Sequence, residues 1–255
     1  MINYGLAKKL NFNYLNSYPF PHIVIDDFLD KGIAQKASND LRNYEKWDYD
    51  PTDYSDGVQK NKFFSPGIDI DLEYMENDTR TAWQVLQFLN SPIALSFLEE
   101  LTGIKGLIPD PKFIGGGYHK ILRGGKLAVH ADYNVHPETK LHRRINLLVY
   151  LNQNWQEEWG GHLELWSKDL THRTHNILPI FNRAVIFNIT DDAYHGHPQP
   201  LNCPENEARY SLALYYFTED RPDNEKNFEH SALWQFPEEN KQNNNLDEVF
   251  QLTNE

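Results

Sequence analysis

Cysteine is nearly absent from this 255-residue chain: Cys203 is the only one, so no internal disulfide framework braces the fold. A single thiol also points to a reducing compartment. Basic residues are in short supply, with 24 Lys and Arg against 37 Asp and Glu and a net charge of −13. A polyanion partner such as nucleic acid usually shows as a basic excess, so that class of function is set aside. No hydrophobic run approaches a membrane span, and the first residues contain no apolar signal-like segment. A soluble cytoplasmic protein with neither a nucleic-acid nor a membrane partner is therefore expected. No internal repeat appears at the usual periods, and the sequence leaves the oligomeric state open. Aromatic residues, in contrast, make up 13 % of the chain, which suits strands and a lined pocket better than disorder.

Residues 1–110 read as a helix-rich support. Pro21 to Asp26 forms a short strand, and Asp30 caps a helix with Ile33, Ala34, Ala37 and Leu41 on one face. From Tyr44 to Lys62 the chain is polar, aromatic and broken by Pro51 and Gly57. That length predicts either a mobile lid or a surface excursion. A second helix is expected from Thr79 to Leu89, with Trp83, Leu86 and Phe88 among its buried residues. Ser91-Pro92 starts a third, carrying Ile93, Phe97 and Leu101 on its apolar face, and Gly103 closes it.

The pattern changes after Pro111. Short β-rich segments follow, separated by glycine and proline: Tyr118 to Leu122, Lys126 to Asp132, Ile145 to Leu151, His162 to Trp166, Ala184 to Asn188 and Arg209 to Phe217. Strands at this spacing, with helices segregated ahead of them, predict a mainly β, α+β architecture. Its core is a jelly roll, or double-stranded β-helix of cupin-like form, over residues 111–221. Residues 222–255 make a polar extension expected to wrap the surface or fray, and the whole is read as one domain.

Val129-His130-Ala131-Asp132 is the stretch around which the chemistry is organised. Alternate strand residues share a face, so the imidazole of His130 and the carboxylate of Asp132 aim at one point. A second histidine from a later strand completes a two-histidine, one-carboxylate site, the arrangement characteristic of non-haem Fe(II) oxygenases. His195 and His197, in Tyr194-His195-Gly196-His197-Pro198, are the candidates. Strand alternation cannot choose between them, while Pro198 restricts His197 to extended backbone.

From about Tyr118 to Arg221 the chain resembles the Fe(II)- and 2-oxoglutarate-dependent dioxygenases, particularly the prolyl 4-hydroxylase-like branch. The resemblance rests on His130-x-Asp132, Arg143-Arg144-Ile145-Asn146-Leu147-Leu148-Val149-Tyr150-Leu151-Asn152, Trp155, Gly160-Gly161, Leu163, His195, Arg209-Tyr210 and Tyr216-Phe217. Ile25-Asp26-Asp27-Phe28-Leu29 is similar to the opening strand of that branch. The resemblance implies Fe(II) held by His130, Asp132 and His195, the first histidine after a strand like Ala184 to Asn188. It implies O2 and 2-oxoglutarate as cosubstrates, with ascorbate as a stimulant. The far carboxylate of 2-oxoglutarate falls to Arg209, because a guanidinium stays charged and forks onto a carboxylate. Tyr150 donates to that same carboxylate, Ser211 shares the face of Arg209, and His119 lies near the cosubstrate.

By the same resemblance the reaction is hydroxylation of an unactivated C–H bond with succinate and CO2 as co-products. A prolyl residue in a peptide is the first substrate; a free amino acid or other small metabolite is the alternative. A metal-binding cupin that does not use 2-oxoglutarate is the remaining one, and Arg209 with Tyr150 discriminates against it. Asp132 favours hydroxylation, since related halogenases have a small residue in its place. Structural roles are expected for Leu163, Trp155 and Trp166. His172, His175 and His162 read as solvated loop histidines, with local bonding at the start of a strand as the alternative for His162, and Cys203 as a loop thiol. Arg143 and Arg144 either bind an anionic substrate or meet neighbouring carboxylates.

Overall fold

In the computed structural model, which describes residues 4–49, 58–64 and 79–237, the chain opens on a helix that the sequence does not announce, α1 (Tyr4–Leu15). Its first turn has no acidic residue and its last no basic one. Tertiary contact selects it instead. Ala7 and Tyr14 are buried, and the Tyr14 hydroxyl donates to Asn188 Oδ1 at 2.6 Å. Strand β1 (His22–Ile25) follows, then α2 (Lys31–Asn43), where the Asp30 carboxylate accepts from the amides of Gly32 and Ile33. That is the expected N-cap. Ala34, Ala37 and Leu41 are buried as expected, and Ile33 packs against the core from a half-buried position.

The stretch from Tyr44 to Lys62 is partly outside the described residues, since 50–57 fall there. Its described flanks are β2 (Asp48–Tyr49) and β3 (Gln59–Phe64), paired antiparallel. The expected α3 (Arg80–Leu89) and α4 (Pro92–Thr102) follow, the latter capped by the Ser91 hydroxyl and closed by Gly103 at φ 75°. Two details differ from expectation. On α3 the buried face is Ala82, Val85, Leu86 and Leu89, with Trp83 and Phe88 only partly covered. On α4, Ile93 points to solvent while Phe97 and Leu101 are buried.

The sheet then comes almost uninterrupted. Its strands are β4 (Ile108–Pro109), β5 (Gly117–Ala131), β6 (His142–Tyr150), β7 (Leu163–Trp166), β8 (Arg173–Ile177), β9 (Arg183–Asn188), β10 (His195–His197), β11 (Ala208–Thr218) and β12 (Leu233–Gln235). Every pairing among them is antiparallel. The spatial order is β1-β9-β6-β11-β5-β10-β7-β8, curled into the double-stranded β-helix, and β3 and β12 also pair with β5. The two segments expected as separate strands, 118–122 and 126–132, are one strand, β5, which runs through Gly124 at φ 77°. β4, β8 and β12 are additional to expectation. The polar run at His172 to His175 is a sheet edge, where His175 packs edge-on against His22 at 4.6 Å. The extension is tied to β5 by Leu233↔Ala131 and Trp234↔His130, so it does not fray there; the Asn-rich run Lys241 to Asn245 lies outside the described residues.

Strand alternation divides the sheet's residues between two cores. Ile145, Leu147 and Val149 of β6, Ala184 and Ile186 of β9, and Leu212, Leu214 and Tyr216 of β11 pack against the helices. The alternate residues Leu148, Tyr150, Val185 and Phe187 join Leu163 and Leu165 inside the barrel. The same alternation turns Asn146, Arg209, Ser211 and Tyr215 to the barrel cavity. The helices thus brace one face of the sheet and leave the other for chemistry.

Candidate metal and cosubstrate site

At the centre of the barrel β10 lies between β5 and β7, with His195 opposite His130 on one side and Leu165 on the other. Gly196 is what permits that closeness, because a Cβ there would come within 2.7 Å of the Ala128 carbonyl oxygen. Asp132 sits one residue beyond the end of β5, yet its carboxylate still turns toward both rings. His130 Nε2 is 3.5 Å from Asp132 Oδ1 and His195 Nε2 is 3.4 Å from Asp132 Oδ2. One ligand atom from each of the three residues falls within 4.8 Å of the others.

The donor set fits a divalent metal. His130 Nδ1 is 2.9 Å from the Ala128 carbonyl oxygen and His195 Nδ1 is 2.9 Å from that of Ala193. A carbonyl only accepts, so each Nδ1 carries the proton and each Nε2 presents a lone pair to the centre. Burial pushes the His130 pKa down, and the His195 ring adds to this, which keeps the imidazole neutral as a ligand must be. Burial alone would raise the Asp132 pKa, but the Arg143 guanidinium helps hold the carboxyl well below its usual range. Arg143 Nη2 lies 3.1 Å from Asp132 Oδ2, and Asn146 Nδ2 donates to the same oxygen at 2.7 Å. Arg143 is itself buried, over the rings of Tyr133 and Tyr215 at 4.4 and 3.5 Å. Arg144 pairs with Glu225 at 3.1 Å, so both arginines meet neighbouring carboxylates.

These groups line a cavity of about 520 Å³ that also exposes Leu163, His197, Arg209, Ser211 and His119. Arg209 is 5 % exposed; its Nε donates to the Gly161 carbonyl at 2.8 Å and its Nη2 to the Tyr150 hydroxyl at 3.1 Å. Gly161, at φ 71°, makes that approach possible, since a Cβ would sit 3.0 Å from Arg209 Cδ. Among the described residues no carboxylate pairs with this guanidinium. A buried cation without an anion, in the same cavity as the metal donors, fits an anionic cosubstrate. Tyr150 is fully buried and lies off the cavity wall, reaching it through Arg209. His119 is on the wall, with its Nε2 3.0 Å from the Gly115 carbonyl oxygen.

Several wall residues carry no signal in the sequence. Trp234 packs its ring 4.9 Å from that of His130, and Ser231 and Ala232 accompany it. Gln59 and Lys62 join from β3. Asn146 alone was open to inference, because it shares a strand face with Leu148 and Tyr150. Trp155 and Trp166 are buried packing residues whose indole N–H groups donate to the Gly160 carbonyl and to Glu164. Cys203 is fully buried beside Leu201 and Trp155.

Residues 116–217 match the sequence model of the 2OG-Fe(II) oxygenase superfamily. No curated protein matches the chain. Among solved structures it is similar to a prolyl hydroxylase from Trichoplax adhaerens in complex with a hypoxia-inducible-factor peptide fragment, at 18 % identity and a TM-score of 0.60, covering 85 % of this chain and 91 % of that one. A prolyl-4-hydroxylase from Pseudomonas putida follows at 14 % identity and 0.56, covering 84 % and 99 %. HygX from Streptomyces hygroscopicus, with nickel, 2-oxoglutarate and hygromycin B bound, gives 12 % and 0.54 over 90 % and 98 %. At such identities the likeness is one of fold. Family match, fold and donor set agree: residues 116–217 form a 2OG-Fe(II) oxygenase domain, a 2-oxoglutarate-dependent dioxygenase unit whose donor set fits Fe(II), on the double-stranded β-helix fold shared with prolyl hydroxylases.

Proposed function

We propose that the protein hydroxylates an unactivated C–H bond, releasing succinate and CO2, with His130, Asp132 and His195 as the iron ligands. The observation that carries this reading is one cavity shared by a neutral-imidazole and carboxylate donor set and a buried, anion-free Arg209. When bound, Fe(II) with 2-oxoglutarate and O2 supplies the oxidising power needed to break such a bond. The chain's own residues position the reactants. Arg209, backed by the Tyr150 hydroxyl and the Gly161 carbonyl, anchors the far carboxylate of 2-oxoglutarate. Arg143 and Asn146 hold Asp132 in place, and Ser211 and His119 line the cosubstrate side.

The first substrate is a prolyl residue in a peptide, by analogy with the peptide-bound Trichoplax enzyme. A compact metabolite is the second reading. It is favoured by β12 and the residues just before it, which lay Ser231, Ala232 and Trp234 along the wall and so cover part of the cavity with the chain itself. The HygX structure, holding hygromycin B, is a small-molecule precedent on this fold. Incubation with Fe(II), ascorbate and 2-oxoglutarate, followed by mass spectrometry of peptide and metabolite pools, should reveal a product heavier by one oxygen. Succinate formation that no substrate ever stimulates would count against hydroxylation.

A further inference from the structure

His197 belongs to no metal-ligand cluster among the described residues and is 3 % exposed, yet it faces the same cavity as the donor set. Neither of its ring nitrogens has a hydrogen-bond partner among the described residues. A buried imidazole with both nitrogens unpaired forfeits hydrogen bonds that water would give it, which is costly for a polar group unless a ligand restores them. The register of β10 locates the ring. His195 is opposite Leu165 and Gly196 opposite Glu164, so antiparallel pairing brings His197 level with Leu163 at the start of β7. Two residues earlier stands Gly161, whose carbonyl accepts from Arg209 Nε. His195 and His197 therefore share a face, one repeat apart along β10, roughly 6–7 Å. The first turns to the metal donors and the second to the Arg209 end. A neutral imidazole has one N–H to donate and one nitrogen to accept.

We propose that His197 is a cosubstrate-binding residue, donating its ring N–H to the far carboxylate of 2-oxoglutarate beside Arg209. This rests on the reading of Arg209 as the anchor of that carboxylate. Its position beyond the metal donors assigns the imidazole to the far end of the molecule and not to the chelating end. The bond adds a second, directional donor to the guanidinium and confines the dicarboxylate to one orientation.

The test is an anaerobic titration of the Fe(II)-loaded protein, following the visible charge-transfer band of the 2-oxo acid chelate. Two ligands are compared: 2-oxoglutarate, and pyruvate, which has the chelating end but no far carboxylate. His197→Leu should raise the Kd for 2-oxoglutarate about tenfold or more, the usual weight of a hydrogen bond to a charged group. The Kd for pyruvate and the iron content should not change, and His197→Asn, which keeps a donor, should recover part of the loss. Equal weakening for both ligands, or no change for either, overturns the assignment. Arg209→Ala is measured alongside. If it leaves 2-oxoglutarate affinity intact, the cosubstrate pocket itself is misread; if only the His197 variants bind normally, the error is confined to His197. Should both His197 variants fail to fold, 15N-histidine NMR of the zinc-loaded wild-type protein decides. A His197 ring-nitrogen resonance must then shift on adding 2-oxoglutarate but not pyruvate, and an unmoved resonance overturns the proposal.

Discussion

Asn146 Nδ2 donates to Asp132 Oδ2 at 2.7 Å, while Asn146 Oδ1 accepts from Arg143 Nε and Nη2 at 3.0 and 2.8 Å. The amide thus links the carboxylate proposed as an iron ligand to the only guanidinium that pairs with it among the described residues. Partners of this kind fix ligand orientation, and losing one typically costs 10–100-fold in metal affinity. Asn146→Ala should weaken Fe(II) binding by roughly that factor, measured by competition with a chromophoric chelator. Asn146→Asp should do worse, because a second carboxylate would repel Asp132 where the amide donates to it. Iron affinity unchanged in both variants would mean that Arg143 alone orients Asp132.

Asp132 itself supplies the only anion of the donor cluster. In Asp132→Ala, the proposed Fe(II) site keeps two neutral rings and leaves Arg143 buried without its carboxylate partner. Stoichiometric iron and product formation should both be lost. The metal-free variant should also melt below the wild type, since an uncompensated buried charge costs about 3–5 kcal/mol. Retention of hydroxylation by this variant would remove Asp132 from the metal site.

The parts of this site that were legible in the sequence are those with a local signature. His130-x-Asp132 declares itself by spacing, and the caps at Asp30 and Ser91 declare their helices. Arg209 became legible only through family resemblance, because nothing local separates it from an ordinary strand arginine. What makes it special is distant: Gly161, 48 positions away, admits and accepts from it. α1 and β12 were missed for the same reason. Tyr14 is held by Asn188 and Trp234 by pairing with β5, contacts between segments far apart in the chain. Polar composition made the C-terminal extension read as loose, although Asn134 Nδ2 donates to the Phe228 carbonyl and Asn134 Oδ1 accepts from the His230 amide. Long-range hydrogen bonds leave no periodic trace.

Trp234 gives that extension a test. Its ring packs on His130 and forms part of the cavity wall, and it makes no hydrogen bond to the Arg209 guanidinium, which bonds to Gly161 and Tyr150. Trp234→Ala should preserve 2-oxoglutarate affinity and reduce stability, with the lost aromatic pair contributing about 0.5–1.5 kcal/mol. Substrate-stimulated succinate release should fall more than the basal rate, because the removed wall borders the space left for substrate. Identical stimulation in variant and wild type would make β12 merely a clasp on β5.

Gly160 and Gly161 allow backbone strain to be separated from loss of the cosubstrate pocket. Both have φ of 71°, where a side chain costs of order 1–3 kcal/mol. Alanine at either position should therefore lower Tm by about 2–10 °C. Beyond that shared cost the two differ. A Cβ at Gly160 would find its nearest neighbour 4.0 Å away, at the Pro200 carbonyl oxygen, whereas one at Gly161 would press on Arg209 Cδ at 3.0 Å. Arg209 can relieve that contact only by shifting away from the Gly161 carbonyl and the Tyr150 hydroxyl that now hold its guanidinium. Gly161→Ala should accordingly weaken 2-oxoglutarate binding several-fold, while Gly160→Ala leaves it near the wild-type value. Titration of the chelate band at a temperature where both variants are folded makes the comparison. Equal affinities for the two would show that the Arg209 side chain adapts to the added methyl, and that its anchoring does not depend on the glycine beneath it.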